Sequence, residues 1–453
     1  MVNNLVMRSD LIKLFILAAA IRAIAVPLIA CAAEPLKAPD LRWYRGNIHT
    51  HSLWSDGNQF PEMIADWYRT HGYHFLALSD HNILSRGTRW MKHDEIVKRG
   101  GHNALEEYIK RFDNDWVEQR GTPETPDHEV RLKPLQDFRT LVEKPGRFLM
   151  IEGEEISDRA EGVPLHMNAT NIQELIEPQG GKTVAEAMEN NLRAVEEQAK
   201  RTGREILLHL NHPNFGYAVT AEDLASVIRE RFMEVYNGHP GVGHLGDEHH
   251  ASVEQIYDIA NTIRVGQLGA PPLYCVATDD SHNYHGEAGS RPGRGWIMVR
   301  AAKLDPETRI RAIKAGDLYA SSGVALRDVR YDAGKRVLQL DIEPDTDAEY
   351  TTQFIGTKLG YDAKSEPRLD KDGKPIRTTR KYSADIGQVL ATEKGTSPSY
   401  QLKGDELYVR AVVTSSKPHH DPSFKDQHQQ AWTQPVGWQA RITEKTAQKR
   451  AVK

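Results

Sequence analysis

Short apolar runs that end in histidine or acidic residues recur along this sequence. The first run leads into His49 and His51, and a second, over residues 75–78, leads into His81. Residues i and i+2 of a strand point to the same face, so His49 and His51 can direct both imidazoles at one point, and Asp56 follows in the next turn. Imidazole and carboxylate groups together suit zinc, manganese or iron. A lone His-x-His pair can equally be a satisfied core pair, so the metal interpretation depends on the recurrence of the pattern.

Apolar strands alternate with amphipathic helices over much of the chain. The strands are predicted near residues 45–52, 75–82, 148–151, 165–169, 206–210, 233–236 and 276–278, and the helices near 61–68, 184–202, 224–228, 253–264 and 307–315. This alternation predicts βα units and a parallel sheet. The polar residues lie at the carboxyl ends of the strands, where β/α barrels hold their active sites. With about seven strands, we predict an α/β fold with a closed or nearly closed barrel. No glycine-rich phosphate loop follows any strand, which argues against a nucleotide-cofactor fold.

Two regions depart from this rhythm. Residues 83–146 form an insertion with helical stretches at 104–119 and 135–142, and it can be either a lid over the strand ends or a surface excursion. From residue 326 short alternating runs replace the helices, so residues 326–442 are predicted to form a small antiparallel, β-sandwich-like domain. Residues 443–453 are predicted to be a frayed tail.

The first 33 residues are predicted to be a signal peptide rather than part of the fold. Arg8 and Lys13 precede an apolar stretch that ends in small residues near Ala33. A membrane anchor fits less well, since Arg22 interrupts the apolar stretch. The chain is therefore expected to be exported, periplasmic or secreted, with no transmembrane span once processed. Lipid attachment at Cys31 is the alternative processing route.

Composition narrows the classes of partner. The 453 residues exceed one ordinary core, and 39% apolar with 27% charged residues is typical of soluble globular domains. The formal net charge of -5 argues against duplex nucleic acid as a partner and leaves a small molecule. After processing, Cys275 stands alone in an apolar run, so we predict an inert buried thiol and no internal disulfide. The sequence does not indicate an oligomeric state.

The strand-end residues form a set of metal-ligand types. Its members are His49, His51, Asp56, His81, Glu154 or Glu155, His166, His212, Asp280 and His282. Such groups converging at a barrel mouth would be costly to bury without a cation to satisfy them. Nine ligands are too many for one tetrahedral ion, so two or three metal ions are implied.

As an ordered set, these motifs resemble the PHP (polymerase and histidinol phosphatase) family of metallohydrolases, above all its stand-alone phosphoesterases and carbamate-ester hydrolases. The matching segments are His49-Thr50-His51 with Asp56-Gly57, Asp80-His81-Asn82, Gly153-Glu154-Glu155-Ile156-Ser157, Leu165-His166, Asn211-His212-Pro213 and Asp279-Asp280-Ser281-His282. The resemblance implies a distorted (β/α)7 PHP-type barrel over residues 42–325. It also implies two or three divalent transition metals (Mn, Fe or Zn).

The resemblance also implies a ligand assignment. The first metal would be held by His49, His51, Glu155 and Asp280, the second by Glu155, His166 and His212, and the third by Asp56, His81 and His282. Family spacing selects Glu155 over Glu154 and Asp280 over Asp279. The unselected acids are expected to support the ligands from behind.

The resulting hypothesis is hydrolysis by a metal-bridging hydroxide, with Glu155, Asp280 and His212 as catalytic ligands and no serine or cysteine nucleophile. The first substrate hypothesis is a small phosphoester, with nucleotide-like compounds included. Arg291 and Arg294 could grip the phosphate, or they could be solvated loop residues. The alternatives are an ester, carbamate or amide hydrolase with the same metals, and a non-catalytic metal- or glycan-binding protein. A loop with His239, His244, His249 and His250 is either part of the substrate mouth or simply exposed.

Overall fold

The computed structural model describes residues 41–443. The predicted signal peptide (1–33), Cys31 and all but the first residue of the predicted tail (443–453) lie outside these residues. Within 41–443, none of the helices combines the length and the apolar character needed to cross a bilayer.

The described part of the chain contains strands and helices in alternation, followed by strands alone. The strands are β1 (Arg42–Asn47), β2 (Phe75–Leu78), β3 (Arg89–Lys92), β4 (Gln119–Arg120), β5 (Glu129–Leu132), β6 (Leu149–Ala160), β7 (Val163–Thr170), β8 (Leu207–Leu210), β9 (Phe232–Asn237), β10 (Tyr274–Thr278), β11 (Trp296–Ala301), β12 (Leu318–Ser321), β13 (Leu326–Asp332), β14 (Val337–Ile342), β15 (Tyr350–Lys358), β16 (Ser365–Glu366), β17 (Lys381–Tyr382), β18 (Gln388–Lys394), β19 (Ser399–Gln401), β20 (Glu406–Pro418) and β21 (His428–Thr433). The α-helices are α1 (Pro61–Thr70), α2 (His93–Gly100), α3 (Ala104–Phe112), α4 (Leu135–Val142), α5 (Val184–Thr202), α6 (Ala221–Ser226), α7 (Val253–Thr262) and α8 (Pro306–Ala315), and a π-helix (Ile263–Leu268) continues α7.

Most of the long strands join one mixed sheet, so the protein is a mixed α/β protein. The strand order from edge to edge is β10-β9-β8-β7-β6-β2-β1-β11-β12-β21-β20-β15-β18. The pairs β1–β2, β2–β6, β8–β9 and β9–β10 are parallel. Across residues 41–443 no ladder joins the edge strand β10 to β1. One bridge, Thr50–Ser281, links the segments that follow these two strands.

The alternation predicted a parallel sheet, but the observed sheet is not parallel throughout. Strands β6 and β7 form an antiparallel hairpin, and β7 also runs antiparallel to β8. The hairpin turn is Glu161-Gly162, and both residues have positive φ, 50° and 80°. Two-residue turns of this kind match the twist of paired strands, so the chain reverses here without a helix. Glu-Gly lacks the Asn-Gly or Asp-Gly signature, and the sequence analysis therefore missed the hairpin.

Two of the apolar cores lie along the sheet. The interior core contains Tyr44, Phe75 and Val276 together with Ile310 of α8, and the outer core contains residues of α5, α6 and α7. Helix α5 lies where it was predicted and packs Val184 and Met188 against the outer core. Thr183 caps the helix. The Thr183 side chain accepts the Glu186 N–H, but the Glu186 carboxylate accepts from Lys182 N, at 2.8 Å.

The insertion contains more secondary structure than the two helices predicted for it. Helix α4 matches its prediction, whereas the helix predicted over 104–119 ends at Phe112. Asp113 follows with φ 66°, which an α-helix cannot accommodate. The sequence analysis missed α2 and a small sheet of order β3-β5-β4. Tyr108 and Val130 of the insertion share an apolar core with Leu53, which lies between His51 and Asp56. The insertion is thus packed against the segment that carries the first predicted ligands.

The C-terminal strands form two antiparallel layers. The first layer is the β12-β21-β20-β15-β18 end of the large sheet, and the second is β13-β14-β19. Leu338, Phe354 and Val413 lie in the apolar core between the layers. Because β12 pairs with both β11 and β21, the first layer is hydrogen-bonded directly to the β/α half.

Candidate metal centre

The structure brings all nine predicted ligands to one end of the sheet. His49 and His51 follow β1, His81 follows β2, Glu155 and His166 lie on the β6–β7 hairpin, His212 follows β8, and Asp280 and His282 follow β10. They form overlapping groups whose ligand atoms lie within 4.8 Å of one another. The groups are His51/Asp56/His81/His282, His49/His51/Glu155, His49/His212/Asp280 and His81/Glu155/His166. Strand β1 ends at Asn47, earlier than predicted, but the Thr50–Ser281 bridge leaves His49 and His51 on a common side.

Glu155 lies at the middle of these groups. One carboxylate oxygen, Oε2, is 3.5 Å from His49 Nε2, 3.2 Å from His51 Nε2 and 2.9 Å from His81 Nδ1. The other, Oε1, is 3.0 Å from His166 Nδ1 and 3.5 Å from His212 Nε2. The two oxygens therefore face different sets of imidazoles, as a carboxylate that bridges two cations would.

Asp280 faces the same imidazoles from the opposite side. Its Oδ1 is 3.1 Å from His49 Nε2 and 3.1 Å from His51 Nε2, and its Oδ2 is 3.8 Å from His212 Nε2. The backbone of Asp280 has φ 48°, a conformation that non-glycine residues rarely adopt. Such local strain clusters at functional sites, where the surrounding structure holds it in place.

Asp56 closes the group on the solvent side. Its carboxylate is 3.3 Å from His282 Nε2 and 3.5 Å from His81 Nε2, and its side chain is 58% exposed. The buried carboxylate of Asp80 holds the turn before it, since its Oδ1 accepts from Ser52 N at 2.7 Å and from Ser55 Oγ at 2.6 Å.

The insertion grips this turn as well. The Arg99 guanidinium donates to Ser55 O at 2.7 Å and to Gly57 O at 3.3 Å, on either side of Asp56. Arg89 donates to the neighbouring carbonyl of Trp54. The insertion therefore supports the loop that carries an exposed ligand.

The unsatisfied atoms of the cluster fit divalent cations. His49 Nε2, His51 Nε2 and Glu155 Oε2 are buried and have no hydrogen-bond partner. Burial lowers the pKa of His51 to about 3, helped by the like charges of His282 and His81, so this ring is neutral at neutral pH and can donate a lone pair. Burial also opposes a charge on His49, yet the carboxylates of Asp280, Glu234 and Glu155 raise its pKa well above the usual range. Protons partly offset the carboxylates here, a role that metal ions can take over.

Glu154 and Asp279, the two acids next to predicted ligands that the family spacing did not select, bond to other partners. Glu154 accepts from Ile176 N at 2.9 Å, and burial raises its pKa to about 8. Asp279 accepts from Gly293 N and Gly295 N and from the Tyr68 hydroxyl at 2.7 Å, and burial raises its pKa too. Each is part of the scaffold behind a predicted ligand.

Sequence reasoning missed Glu234 and His209. Glu234 is fully buried, and its carboxylate accepts from His49 Nδ1 at 2.7 Å, from Thr278 Oγ1 at 2.6 Å and from His212 N at 2.8 Å. His209 Nε2 lies 3.5 Å from the same carboxylate. The available signal was an acid inside an otherwise apolar strand, Phe232-Met233-Glu234-Val235. Such an acid is buried only with partners.

The remaining predicted residues are placed as follows. Arg291 and Arg294 both pair with Asp421, at 2.7 and 3.0 Å, and Arg294 is only 4% exposed, so neither is a free loop arginine. The His239 ring lies 5.7 Å from that of His282, whereas His249 is exposed. Cys275 is buried, as predicted, and burial raises the pKa of its thiol to about 12.

Comparisons with known proteins give low similarity. No family model matches the sequence, and no curated protein matches it. Among solved structures, one two-domain protein from Bacteroides vulgatus, described as containing a predicted PHP-like metal-dependent phosphoesterase, is 15% identical with a TM-score of 0.36, over 87% of this chain and 96% of that chain. A protein from Bifidobacterium adolescentis described as a metal-dependent phosphoesterase is 13% identical with a TM-score of 0.30, over 55% and 92%. An amidohydrolase from Chromobacterium violaceum is 14% identical with a TM-score of 0.27, over 54% and 89%.

The structural neighbours are thus PHP-like metal-dependent phosphoesterases and an amidohydrolase. Similarity at this level transfers no function, so the function has to be argued from the site itself.

Proposed function

We propose that this protein is a metal-dependent hydrolase of the PHP type, with two or three divalent metal ions held by the nine predicted ligands. The observation that carries the proposal is the cluster of buried ring nitrogens and carboxylate oxygens that face one another without hydrogen-bond partners. A stable fold leaves such atoms unpaired only at high cost, unless a ligand completes them. The finer expectation of a (β/α)7-type barrel belongs to the same proposal.

When bound, divalent ions at such a site lower the pKa of coordinated water and polarise the bond that is cleaved. The chain itself orients the ligands. Glu234 accepts from His49 Nδ1, which leaves Nε2 of that ring to face Glu155 and Asp280. Asn211 donates to Glu155 Oε1 at 2.8 Å and so restricts the carboxylate to one rotamer. Because these partners are buried, the ligands are held in place before metal or substrate arrives.

Charge balance favours a phosphoester as substrate. The ligand carboxylates of Asp56, Glu155 and Asp280, together with Glu234 behind them, contribute four negative charges. Two divalent ions would only neutralise them, whereas three would leave two positive charges, which match a phosphate dianion. We therefore propose a trinuclear centre and a small phosphoester, with nucleotide-like compounds among the candidates. Export through the predicted signal peptide remains part of the proposal.

The test combines metal counting with a paired assay. The purified full chain is loaded with manganese, iron or zinc, its metal content is measured by mass spectrometry, and it is offered an aryl phosphate and an aryl ester. We expect about three ions per chain and phosphate release that disappears in Asp280→Asn and His212→Ala. The exposed His249→Ala serves as the matched histidine control and retains activity. Ester turnover without phosphate release would replace the phosphoester by an ester, carbamate or amide. A metal-free, inactive protein would overturn the proposal.

A further inference from the structure

A second polar site lies on the outer face of the sheet, between the β/α half and the C-terminal strands. It is a cleft of about 680 Å³ whose lining includes Arg45 of β1, Trp296 of β11, Trp67 of α1 and, from the C-terminal half, Asp421 and Gln429. None of the nine predicted metal ligands is among its lining residues. Along β1, Arg45 points outward to this cleft, whereas its neighbour Tyr44 lies in the interior core.

Arg45 is the feature that sets the cleft apart. Its guanidinium lies 3.6 Å from the Trp296 ring and 4.0 Å from the Tyr73 ring, and it donates to the Tyr73 hydroxyl at 3.0 Å. No ion pair within residues 41–443 includes Arg45, although the buried Asp279 lies close enough to act on its charge. Its Nε is buried without a hydrogen-bond partner. Because Nε is enclosed and one Nη donates to Tyr73, the guanidinium keeps its charge and its other Nη group for an oxyanion.

The other charges of the cleft do not neutralise Arg45. Asp421 is shared by Arg291 and Arg294, which leaves one positive charge in that trio. Asp345 is paired with Lys417 at 2.7 Å. Glu287 also acts on Arg291, and the buried Asp279 acts on Arg45. The excess positive charge of the cleft is therefore small and lies at Arg45, which suits an anion.

The walls and the size indicate more than an inorganic ion. The aromatic side chains of Trp67, Tyr73, Tyr284 and Trp296 line the cleft, and the ring of His71 stacks on Trp67 at 3.9 Å. A volume of about 680 Å³ lies within the range of sites for small organic ligands. We propose that this cleft binds a small organic anion that carries a flat ring, with its oxyanion on Arg45 and its ring among the aromatic side chains. The proposal does not depend on the hydrolytic function, and it gives the C-terminal half a part in ligand binding.

Isothermal titration of the purified full chain with phenylphosphonate, which contains both elements and is not hydrolysed, tests the site. We expect a binding site that persists in Asp280→Asn, in which the metal centre is disabled, with weaker binding of inorganic phosphate there and none of benzyl alcohol, which has the ring without the charge. Benzoate and benzenesulfonate, run alongside, distinguish a phosphorus oxyanion from a carboxylate or a sulfonate. Absence of phenylphosphonate binding, or equal binding of benzyl alcohol, would overturn the proposal.

Variants locate the bound probe. Arg45→Met should weaken phenylphosphonate binding at least about tenfold, because it removes a charge-assisted donor. Arg120 also lies over a tryptophan but is paired with Glu129, so Arg120→Met is the matched control and should bind as the wild type does. Asp280→Asn should keep the affinity for phenylphosphonate. If Asp280→Asn lost this affinity and Arg45→Met retained it, the probe would lie at the metal centre and the proposal would be overturned. If circular dichroism shows that Arg45→Met is unfolded, Trp67→Leu tests the site instead, because the Trp67 side chain is only half-buried. Unchanged phenylphosphonate binding in Trp67→Leu would contradict an aromatic wall.

Discussion

Two buried clusters of charged side chains differ in whether the protein itself completes them. At the seam between the two halves, Arg410 donates to both oxygens of Asp258, at 2.8 and 2.7 Å, and to Glu254 at 2.9 Å. Tyr408 and Trp432 donate to the same two acids. Every carboxylate oxygen of this cluster has a protein partner, so its acceptors are complete. The buried atom that it leaves unpaired, Arg410 Nη1, is a cationic donor and cannot bind a metal ion.

The candidate metal centre is buried at His49, His51, Glu155 and Asp280, but there the acceptors are not complete. The Nε2 atoms of His49 and His51 and the Oε2 of Glu155 have no hydrogen-bond partner. A completed cluster is part of the structure, whereas an incomplete one with converging lone pairs is suited to a ligand. The contrast separates charged side chains that pair with one another across the two halves from charged side chains that are arranged to bind a ligand.

The largest expected effect is at the incomplete cluster. Glu155→Gln removes the carboxylate that faces five imidazoles, so we expect loss of bound metal and of hydrolysis well beyond the roughly 10–100-fold typical of outer ligand partners. The neighbouring Glu154→Gln is the matched control. Burial raises the Glu154 pKa to about 8, so the amide replaces a largely neutral group, and metal content should persist. Equal metal loss in both variants, measured by mass spectrometry, would contradict the distinction between the two acids.

The complete cluster should matter for stability instead. Arg410→Met leaves the buried carboxylate of Asp258 without a cation, and we expect a loss of about 3–5 kcal/mol in the free energy of unfolding. Urea denaturation measures it. Arg327→Met, which breaks an exposed pair with Glu343, should change stability by less than about 0.5 kcal/mol. A similarly small loss for Arg410→Met would remove the contrast between the clusters.

A smaller effect tests the support behind the centre. Glu234→Gln replaces the acceptor of the His49 Nδ1 proton, so the ring loses its orientation and metal affinity should fall by about 10–100-fold. Isothermal titration calorimetry with the metal ion measures its dissociation constant. Glu230→Gln changes a buried acid just before the same strand, whose carboxylate accepts from the backbone amides of Arg231 and Phe232, and it should leave the metal affinity unchanged.

The smallest expected effect concerns acid stability beside the cleft. Burial opposes ionisation of Asp421, but hydrogen bonds from Arg291 and Arg294 outweigh it and lower its pKa to about 2. A carboxylate with a lowered pKa contributes stability above its unfolded pKa and loses it as the pH falls through the folded value. Between about pH 4 and pH 2, wild type should therefore lose on the order of 1 kcal/mol more than Asp421→Asn. Parallel loss in both proteins, in urea titrations across this range, would contradict the assignment.

Local signals in the sequence predicted the elements well. Helices α4 and α5 have the predicted bounds, because their apolar periodicity and flanking residues agree with the tertiary environment. Helix α2 and the β6–β7 hairpin were missed. The first is short, and the second turns on a dipeptide without the usual turn signature.

The sequence placed residues of metal-ligand type at successive strand ends, because ligand chemistry depends on side-chain type. The choice of Glu155 over Glu154 came from the family resemblance. The ligand assignment itself stays a prediction. Only the tertiary structure showed that Glu234 supports His49, 185 positions away in the chain, and that Arg45 faces a cleft built from both halves. These features depend on contacts between segments far apart in sequence, and such contacts leave no periodicity in either segment.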